Sequence, residues 1–419
     1  MDIPGLPARQ AALSLLDAVL RRGETLDQAA GNALRRVRGD ADKALARAIA
    51  SEVLRWKQDL DALIDSATRQ RLPDDAKPRQ VLALMLAQWL RLDTPPHAVI
   101  ATGLPLLAGG PRRLAHGVFS TLVKREASLP AIPTLPEAVA ARWGDRAEAI
   151  SGGLALPPPL DIVLRDIGRD PGETGEWAER LGGLSLMPGH VRLSRGDAVA
   201  SLPGYGEGAW WVQDLAASLP ARLLGKGDGR RALDLCAAPG GKTLQLAAAG
   251  AQVTALDISA SRMTRLQANL ARTGLTAALV TADALHWQPD TPFDAILLDA
   301  PCSATGTLRR HPDLPYVKDG SDLPALTALQ RDLIDRALAW LKPGGRLVFS
   351  TCSLLPEEGE DQLAATLARH PGLTVERPHI PGVDPTWWTP DGALRLRPDY
   401  WAEKGGIDGF LLARLRKPG

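Results

Sequence analysis

Two of the three cysteines in this chain, Cys302 and Cys352, stand in short motifs that each follow an apolar run: Leu298-Asp299-Ala300-Pro301-Cys302-Ser303 and Ser350-Thr351-Cys352-Ser353. Neither belongs to a C-x-x-C pair and no histidine lies at ligand spacing, so a metal centre is not expected. A buried cysteine is often only a small apolar side chain. Two thiols beyond the ends of successive strands, one of them beside Asp299, allow covalent chemistry instead. Methylation at carbon 5 of a pyrimidine would use such a set. That carbon is a poor nucleophile until a thiolate adds to carbon 6 and makes it enamine-like, able to attack a methyl sulfonium. A free thiol, with a pKa of about 8.5, is mostly protonated at neutral pH, so the site has to favour the thiolate. Asp299 could hydrogen-bond ring nitrogen 3 and exocyclic nitrogen 4. A second functional group is then useful for removing the carbon 5 proton and releasing the product.

A methyl donor needs its own cradle. The segment Asp234-Leu235-Cys236-Ala237-Ala238-Pro239-Gly240-Gly241-Lys242-Thr243 runs from an apolar strand through a Pro-Gly-Gly turn into a helical pattern. Its glycines allow a ligand to approach the backbone, and the helix start offers unpaired N–H groups. A phosphate-binding P-loop would require glycine where Cys236 stands, so that reading fails, and the dinucleotide fingerprint is also missing. Asp257, Asp283 and Asp299 close three further apolar runs. Singly, each reads as a cap or turn residue. Together, at the ligand-binding ends of successive strands, they describe a ribose- and adenine-bearing cofactor without a pyrophosphate clamp, which favours S-adenosylmethionine.

The elements that must position these groups follow from periodicity. Runs at 231–236, 252–256, 278–281, 295–298 and 346–350 alternate with helical patterns at 242–249, 259–273 and 326–341, which predicts an α/β domain around a mainly parallel, doubly wound sheet over 209–419. The first third is helical throughout: Ala12, Leu15, Leu16 and Val19 recur on one face, Leu45, Ile49, Val53, Leu60 and Leu63 on another, and Val81–Leu90 ends before Thr94-Pro95-Pro96. This predicts an all-helical domain over 1–135, then a small α+β linker subdomain over 136–208, rich in glycine and containing Pro157-Pro158-Pro159. With 49 Lys+Arg against 48 Asp+Glu over 419 residues, the net charge of +1 excludes a bulk polybasic coat, so contact with nucleic acid must come from local patches. Arg21, Arg22, Arg35, Arg36, Arg38, Arg112 and Arg113 are either solvated helix faces or a phosphate-contacting surface. Three cysteines are too few for a disulfide framework and fit a reducing compartment. No leader pattern or membrane span is recognised.

The motifs around Asp234–Thr243, Asp299–Ser303 and Ser350–Ser353 resemble those of the RNA cytosine 5-methyltransferase family, in its ribosomal RNA branch (the Fmu/Sun group). The resemblance extends through Gln213-Asp214, Arg309-Arg310-His311-Pro312-Asp313 and Asp408-Gly409-Phe410. Asp42–Arg47, Leu54-Arg55-Trp56 and Thr94–Ala98 resemble the NusB-like helical domain of that group. It implies a Rossmann-like methyltransferase domain dependent on S-adenosylmethionine, with Cys352 as the nucleophile, Cys302 assisting product release and Asp299 as the third catalytic group. It implies cofactor contacts from Cys236, Ala237, Ala238, Pro239, Gly240, Gly241, Lys242, Asp257, Arg262, Asp283 and Asp299. The implied substrate is a single cytosine of small-subunit ribosomal RNA, handled by a cytoplasmic monomer without metal or membrane. The helical domain and Arg309-Arg310 are expected to supply phosphate contacts. Two positions depart from the pattern: Gly359, between Glu358 and Glu360, replaces a usual asparagine, and His116 replaces another in the helical domain. The alternatives are a non-catalytic RNA-binding or assembly factor, and a DNA or tRNA cytosine 5-methyltransferase.

Overall fold

The computed structural model describes residues 3–166, 171–196 and 198–419. The chain forms two compact units, one of Met1–Pro157 with Leu308–Asp319, the other of Pro158–Thr307 with Gly320–Gly419. Of the stretch expected as a separate linker subdomain, 136–157 therefore belongs to the first unit and the remainder to the second, with residues 167–170 and 197 outside the described residues.

The first unit is helical: α1 (Leu6–Arg22), α2 (Leu26–Ala33), α3 (Asp40–Arg55), α4 (Lys57–Ser66), α5 (Lys77–Arg91), α6 (Pro96–Gly103), α7 (Gly109–Lys124), α8 (Glu137–Trp143) and α9 (Ala147–Leu154). Local chemistry sets the breaks. Gly23 ends α1 in the left-handed region at φ 66°, and Thr25 and Gln28 form a reciprocal capping box on α2. Helix α5 is the centre of the unit, with Val81 through Ala87 at most 1% exposed. It is surrounded by Leu15, Ile49, Trp56 and Phe119. Residues 308–319 complete this unit with the one-turn helix α14 (Leu314–Val317). Asp313 accepts from the Leu26 amide at 3.0 Å and Tyr316 donates to the Leu54 carbonyl at 3.1 Å. Arg55 donates to the carbonyls of Leu154 and Arg309 at 2.8 and 2.9 Å. Arg309 itself is 1% exposed, which corrects its expected role as a phosphate contact: its side chain is buried. Arg35, Arg36, Arg38, Arg112, Arg113 and His116 are exposed.

The second unit holds two sheets. In the smaller, β2 (Leu184–Met187), β3 (His190–Leu193), β1 (Leu160–Leu164) and β4 (Trp210–Val212) lie in that order, with α10 (Pro171–Arg180) between β1 and β2 in the chain. The larger has the order β10-β12-β9-β8-β5-β6-β7, with β11 added against β12. Strands β5 (Arg231–Leu235), β6 (Gln252–Asp257), β7 (Ala278–Thr281), β8 (Phe293–Asp299) and β9 (Leu341–Thr351) are parallel. Helices α11 (Leu215–Leu224), α12 (Gly241–Ala248), α13 (Ala260–Thr273) and α15 (Leu323–Trp340) accompany them. The expected mainly parallel sheet is thus present, extended by an antiparallel edge of β10 (Thr374–Glu376), β11 (Leu394–Leu396) and β12 (Phe410–Arg416), the first of which follows α16 (Glu360–Arg369). Among the described residues no helix is long and apolar enough to cross a membrane.

Candidate active site

Strand register brings the two cysteines together. β8 and β9 are parallel neighbours, and Asp299 stands opposite Ser350. The chain leaves both strands at one level, so the third residue beyond Asp299 and the second beyond Ser350 face each other. Cys302 Sγ and Cys352 Sγ lie 3.4 Å apart, and all three cysteines are free thiols. Asp299 fixes the floor between the strands: its Oδ1 accepts from Ser350 Oγ at 3.0 Å and its Oδ2 from Lys242 Nζ at 2.6 Å. Lys242 was expected among cofactor contacts. Here it reaches Asp299, the carboxylate expected to act with the two cysteines, with its Nζ 5.8 Å from the centre of the Phe410 ring.

Three residues secure this geometry; Gly306 and Arg395 stand outside the recognised motifs, and Glu358 entered the sequence reading only as the acid before Gly359. Glu358 is fully buried and accepts from the Ser303 amide at 2.8 Å, from the Ser303 hydroxyl and from Gln330 Nε2 at 3.0 Å. Its own carbonyl accepts from Thr351 Oγ1 at 3.3 Å, so one residue ties the neighbours of both cysteines. The Gly306 amide donates to the Cys352 carbonyl at 2.9 Å, and the Gly306 carbonyl accepts from Gly409 at 2.8 Å. A Cβ on Gly306 would come within 2.0 Å of the Gly409 carbonyl, so only glycine permits that approach. Arg395 Nη1 donates to the Ser353 carbonyl at 2.6 Å. Each contact joins residues distant in sequence, which is why no local signal revealed it.

On the other side of Asp299 lies the turn after β5. Cys236 and Gly240 adopt positive φ, 64° and 110°, and a Cβ on Gly240 would meet Leu266 at 2.2 Å. Ala237 and Ala238 are buried, and the Ala238–Pro239 peptide is cis. Asp257 ends β6 and holds the turn: its Oδ2 accepts from the Ala238 amide at 3.1 Å and its Oδ1 from the Ser259 amide at 2.8 Å. Arg262, half exposed, donates to the Ala238 carbonyl and lies 3.8 Å from Asp257, so it supports the turn from outside. Asp283 follows β7, accepting from the Leu285 amide and from His286 Nδ1, each at 2.9 Å. These bonds hold its carboxyl below the usual range. Ile258, beside Asp257, is 70% exposed, an apolar surface left open next to that carboxylate. Residues 236–242, Asp257, Asp283 and Asp299 thus line one end of the parallel strands.

Cys352 and Cys236 differ from free cysteine. Cys352 is held well above its ordinary range, first by its contact with Cys302, then by burial and the Asp299 charge, with the Lys242 ammonium working in the opposite direction. Burial also pushes Cys236 upward, leaving an inert thiol in the turn. Burial opposes the charge on Lys242, yet Asp299 outweighs it and keeps the ammonium above its usual range. Asp234, fully buried on β5 and bonded to Thr243 Oγ1 at 2.5 Å, is pushed up to about 7 by burial.

Comparison with known proteins adds lineage to this geometry. Residues 221–416 match the family described as 16S rRNA methyltransferase RsmB/F, and residues 6–106 match the NusB family. The chain is 35% identical to the ribosomal RNA small subunit methyltransferase B of Pseudomonas putida, over 98% of this chain and 98% of that protein. A solved methyltransferase homologue from Pyrococcus horikoshii is 27% identical, with a TM-score of 0.56 over 71% of this chain and 98% of the other. NSun6 from Pyrococcus horikoshii, solved with SFG, shares the fold at 21% identity and a TM-score of 0.59, over 68% and 99% of the two chains.

Proposed function

Because the chain belongs to the RsmB/F family of 16S rRNA methyltransferases, with a NusB-family region at its amino-terminal side, we propose that it transfers a methyl group from S-adenosylmethionine to carbon 5 of one cytosine in small-subunit ribosomal RNA, as a monomer in the cytoplasm. The observation that carries this reading is the pair of thiols at 3.4 Å beside the Lys242–Asp299 pair.

The cofactor supplies an electrophilic methyl group. The residues present suit it: a glycine turn that lets backbone approach, carboxylates at Asp257 and Asp283 for hydroxyl and amino groups, the open Ile258 surface for an adenine ring, and Asp299 as counter-charge for a cation. The chain's own groups then act on the cytosine. Cys352 passes its proton through Asp299 to ring nitrogen 3 as its sulfur adds to carbon 6, making carbon 5 the nucleophile that takes the methyl group. Asp299, fixed by Ser350 and Lys242, then accepts from the exocyclic amine and stabilises the charged adduct. Cys302, within reach of Cys352 and acting as a thiolate, accepts the carbon 5 proton and later yields it to water. The carbon 6–sulfur bond breaks with its electron pair returning to sulfur, and the nitrogen 3 proton goes back to Cys352 as its thiol. A paired target cytosine has to leave its stack to reach this recess.

Incubating the enzyme with small-subunit ribosomal RNA and methyl-labelled cofactor, then mapping by bisulfite sequencing, tests the reading. One cytosine is expected to become protected, and none with Cys352→Ala. Label on a base nitrogen or a ribose, or none in the RNA, would overturn it.

A further inference from the structure

Arg395 lies on β11, at the antiparallel edge of the large sheet, outside every motif that points to the reaction. It is 8% exposed, and its guanidinium joins three elements. Nε donates to Glu360 Oε1 at 2.9 Å and Nη2 donates to Glu360 Oε2, a bidentate pair at the start of α16, while Nη1 reaches the Ser353 carbonyl at 2.6 Å. Ser353 directly follows Cys352. The preceding carbonyl, that of Cys352, accepts from the Gly306 amide at 2.9 Å. Two successive carbonyls are therefore pinned by groups from distant parts of the chain, which fixes the peptide plane that follows Cys352 and the next one along the loop.

The space for this guanidinium exists because residue 359 is glycine. A Cβ there would lie 2.5 Å from Arg395 Nη2, so glycine at this position gives the guanidinium its clearance. The departure at Gly359 from the family's usual asparagine thereby acquires a role. We propose that Arg395, anchored by Glu360 and given room by Gly359, is a positioning residue that holds the Cys352 loop in its reactive orientation. A neutral donor could fill the same hydrogen bond, but a planar guanidinium bound bidentately by a carboxylate is pre-oriented, so its third direction is fixed.

The inference rests on the proposed cytosine chemistry for its meaning in turnover, and its test carries one readout that does not. In the free enzyme, releasing Ser353 lets Cys352 leave its contact with Cys302, so alkylation of Cys352 by iodoacetamide at neutral pH, read by peptide mass spectrometry, should become faster in Arg395→Gln. Alkylation of Cys236 should stay unchanged, which separates loop release from unfolding. In the same variant kcat should fall by about 10²-fold with KM for RNA and cofactor nearly unchanged, since a misplaced nucleophile costs the chemical step rather than binding. Arg395→Lys should recover part of kcat. Gly359→Ala, which displaces the guanidinium without changing charge, should reproduce the same opposed pair of effects in a milder form if Arg395→Gln proves too unstable to assay. Alkylation and kcat both at the wild-type level in Arg395→Gln, or a loss confined to KM, would overturn the proposal. Failure of the wild-type enzyme to methylate cytosine would instead reject the proposed function and leave the alkylation result standing.

Discussion

At the scale of single residues, the resting state of Cys352 is a neutral thiol. Its contact with Cys302, its burial and the Asp299 carboxylate all favour the protonated form, and Lys242 only partly offsets them. A raised pKa means that alkylation of the free enzyme at Cys352 is slow at neutral pH and accelerates only as pH climbs past the ordinary thiol range. Cys302 is the largest of these influences. Cys302→Ala should therefore move the pH profile of Cys352 alkylation to lower pH, whereas an unmoved profile would show that burial alone sets it. The cysteines were legible in the sequence because the chain has only three and two of them follow apolar runs, and Asp299 because it closes the run before Cys302. The contacts of Glu358, named only as the acid before Gly359, and of Arg395 were not: a buried glutamate and a buried arginine look like any surface charge until the fold brings Ser303, Gln330 and Ser353 to them. Arg309 misled in the same way, since an Arg-Arg pair in a loop suggests a phosphate contact and its burial becomes apparent only in three dimensions.

At the scale of elements, the β5–α12 junction couples the cofactor turn to pH. Asp234 has its carboxyl pushed up to about 7 from an unfolded value near 3.8. Between those values the unfolded chain has released this proton while the folded chain keeps it, so the group's contribution to stability declines as pH rises through that window and is lost above it. Asp234→Asn imitates the protonated form. Measured by calorimetry, its melting temperature relative to wild type should be higher at pH 8 than at pH 5; a constant offset would contradict the assignment. Strands β5, β6, β8 and β9 could be read in advance because parallel strands inside a covered sheet are short continuous apolar runs, and β7 gave the same kind of run although it stands mostly exposed at the sheet edge. The antiparallel edge escaped the sequence. Strands β10 and β11 span only Thr374–Glu376 and Leu394–Leu396, too short to display a period, and β12 was noticed only for the Asp408-Gly409-Phe410 that leads into it. In the helical unit, Val81–Leu90 grew to Lys77–Arg91 since Pro78 is tolerated in a first turn.

At the scale of the whole molecule, a net charge of +1 leaves RNA affinity to local clusters. Arg112 and Arg113 stand exposed at the start of α7, with Arg35, Arg36 and Arg38 exposed after α2. Replacing Arg112 and Arg113 by glutamine should weaken RNA binding without altering the position methylated, and should flatten the dependence of log affinity on log salt by about 1 for each phosphate contact removed. An unchanged slope would assign those arginines to a solvated face. Covalent trapping reads the division of labour between the two thiols directly. Cys302→Ala, incubated with cofactor and small-subunit ribosomal RNA and run on a denaturing gel, should accumulate a protein–RNA adduct, and adding Cys352→Ala should abolish it. An adduct that survives the loss of Cys352, or one that forms through Cys302 in the Cys352→Ala enzyme, would contradict the mechanism.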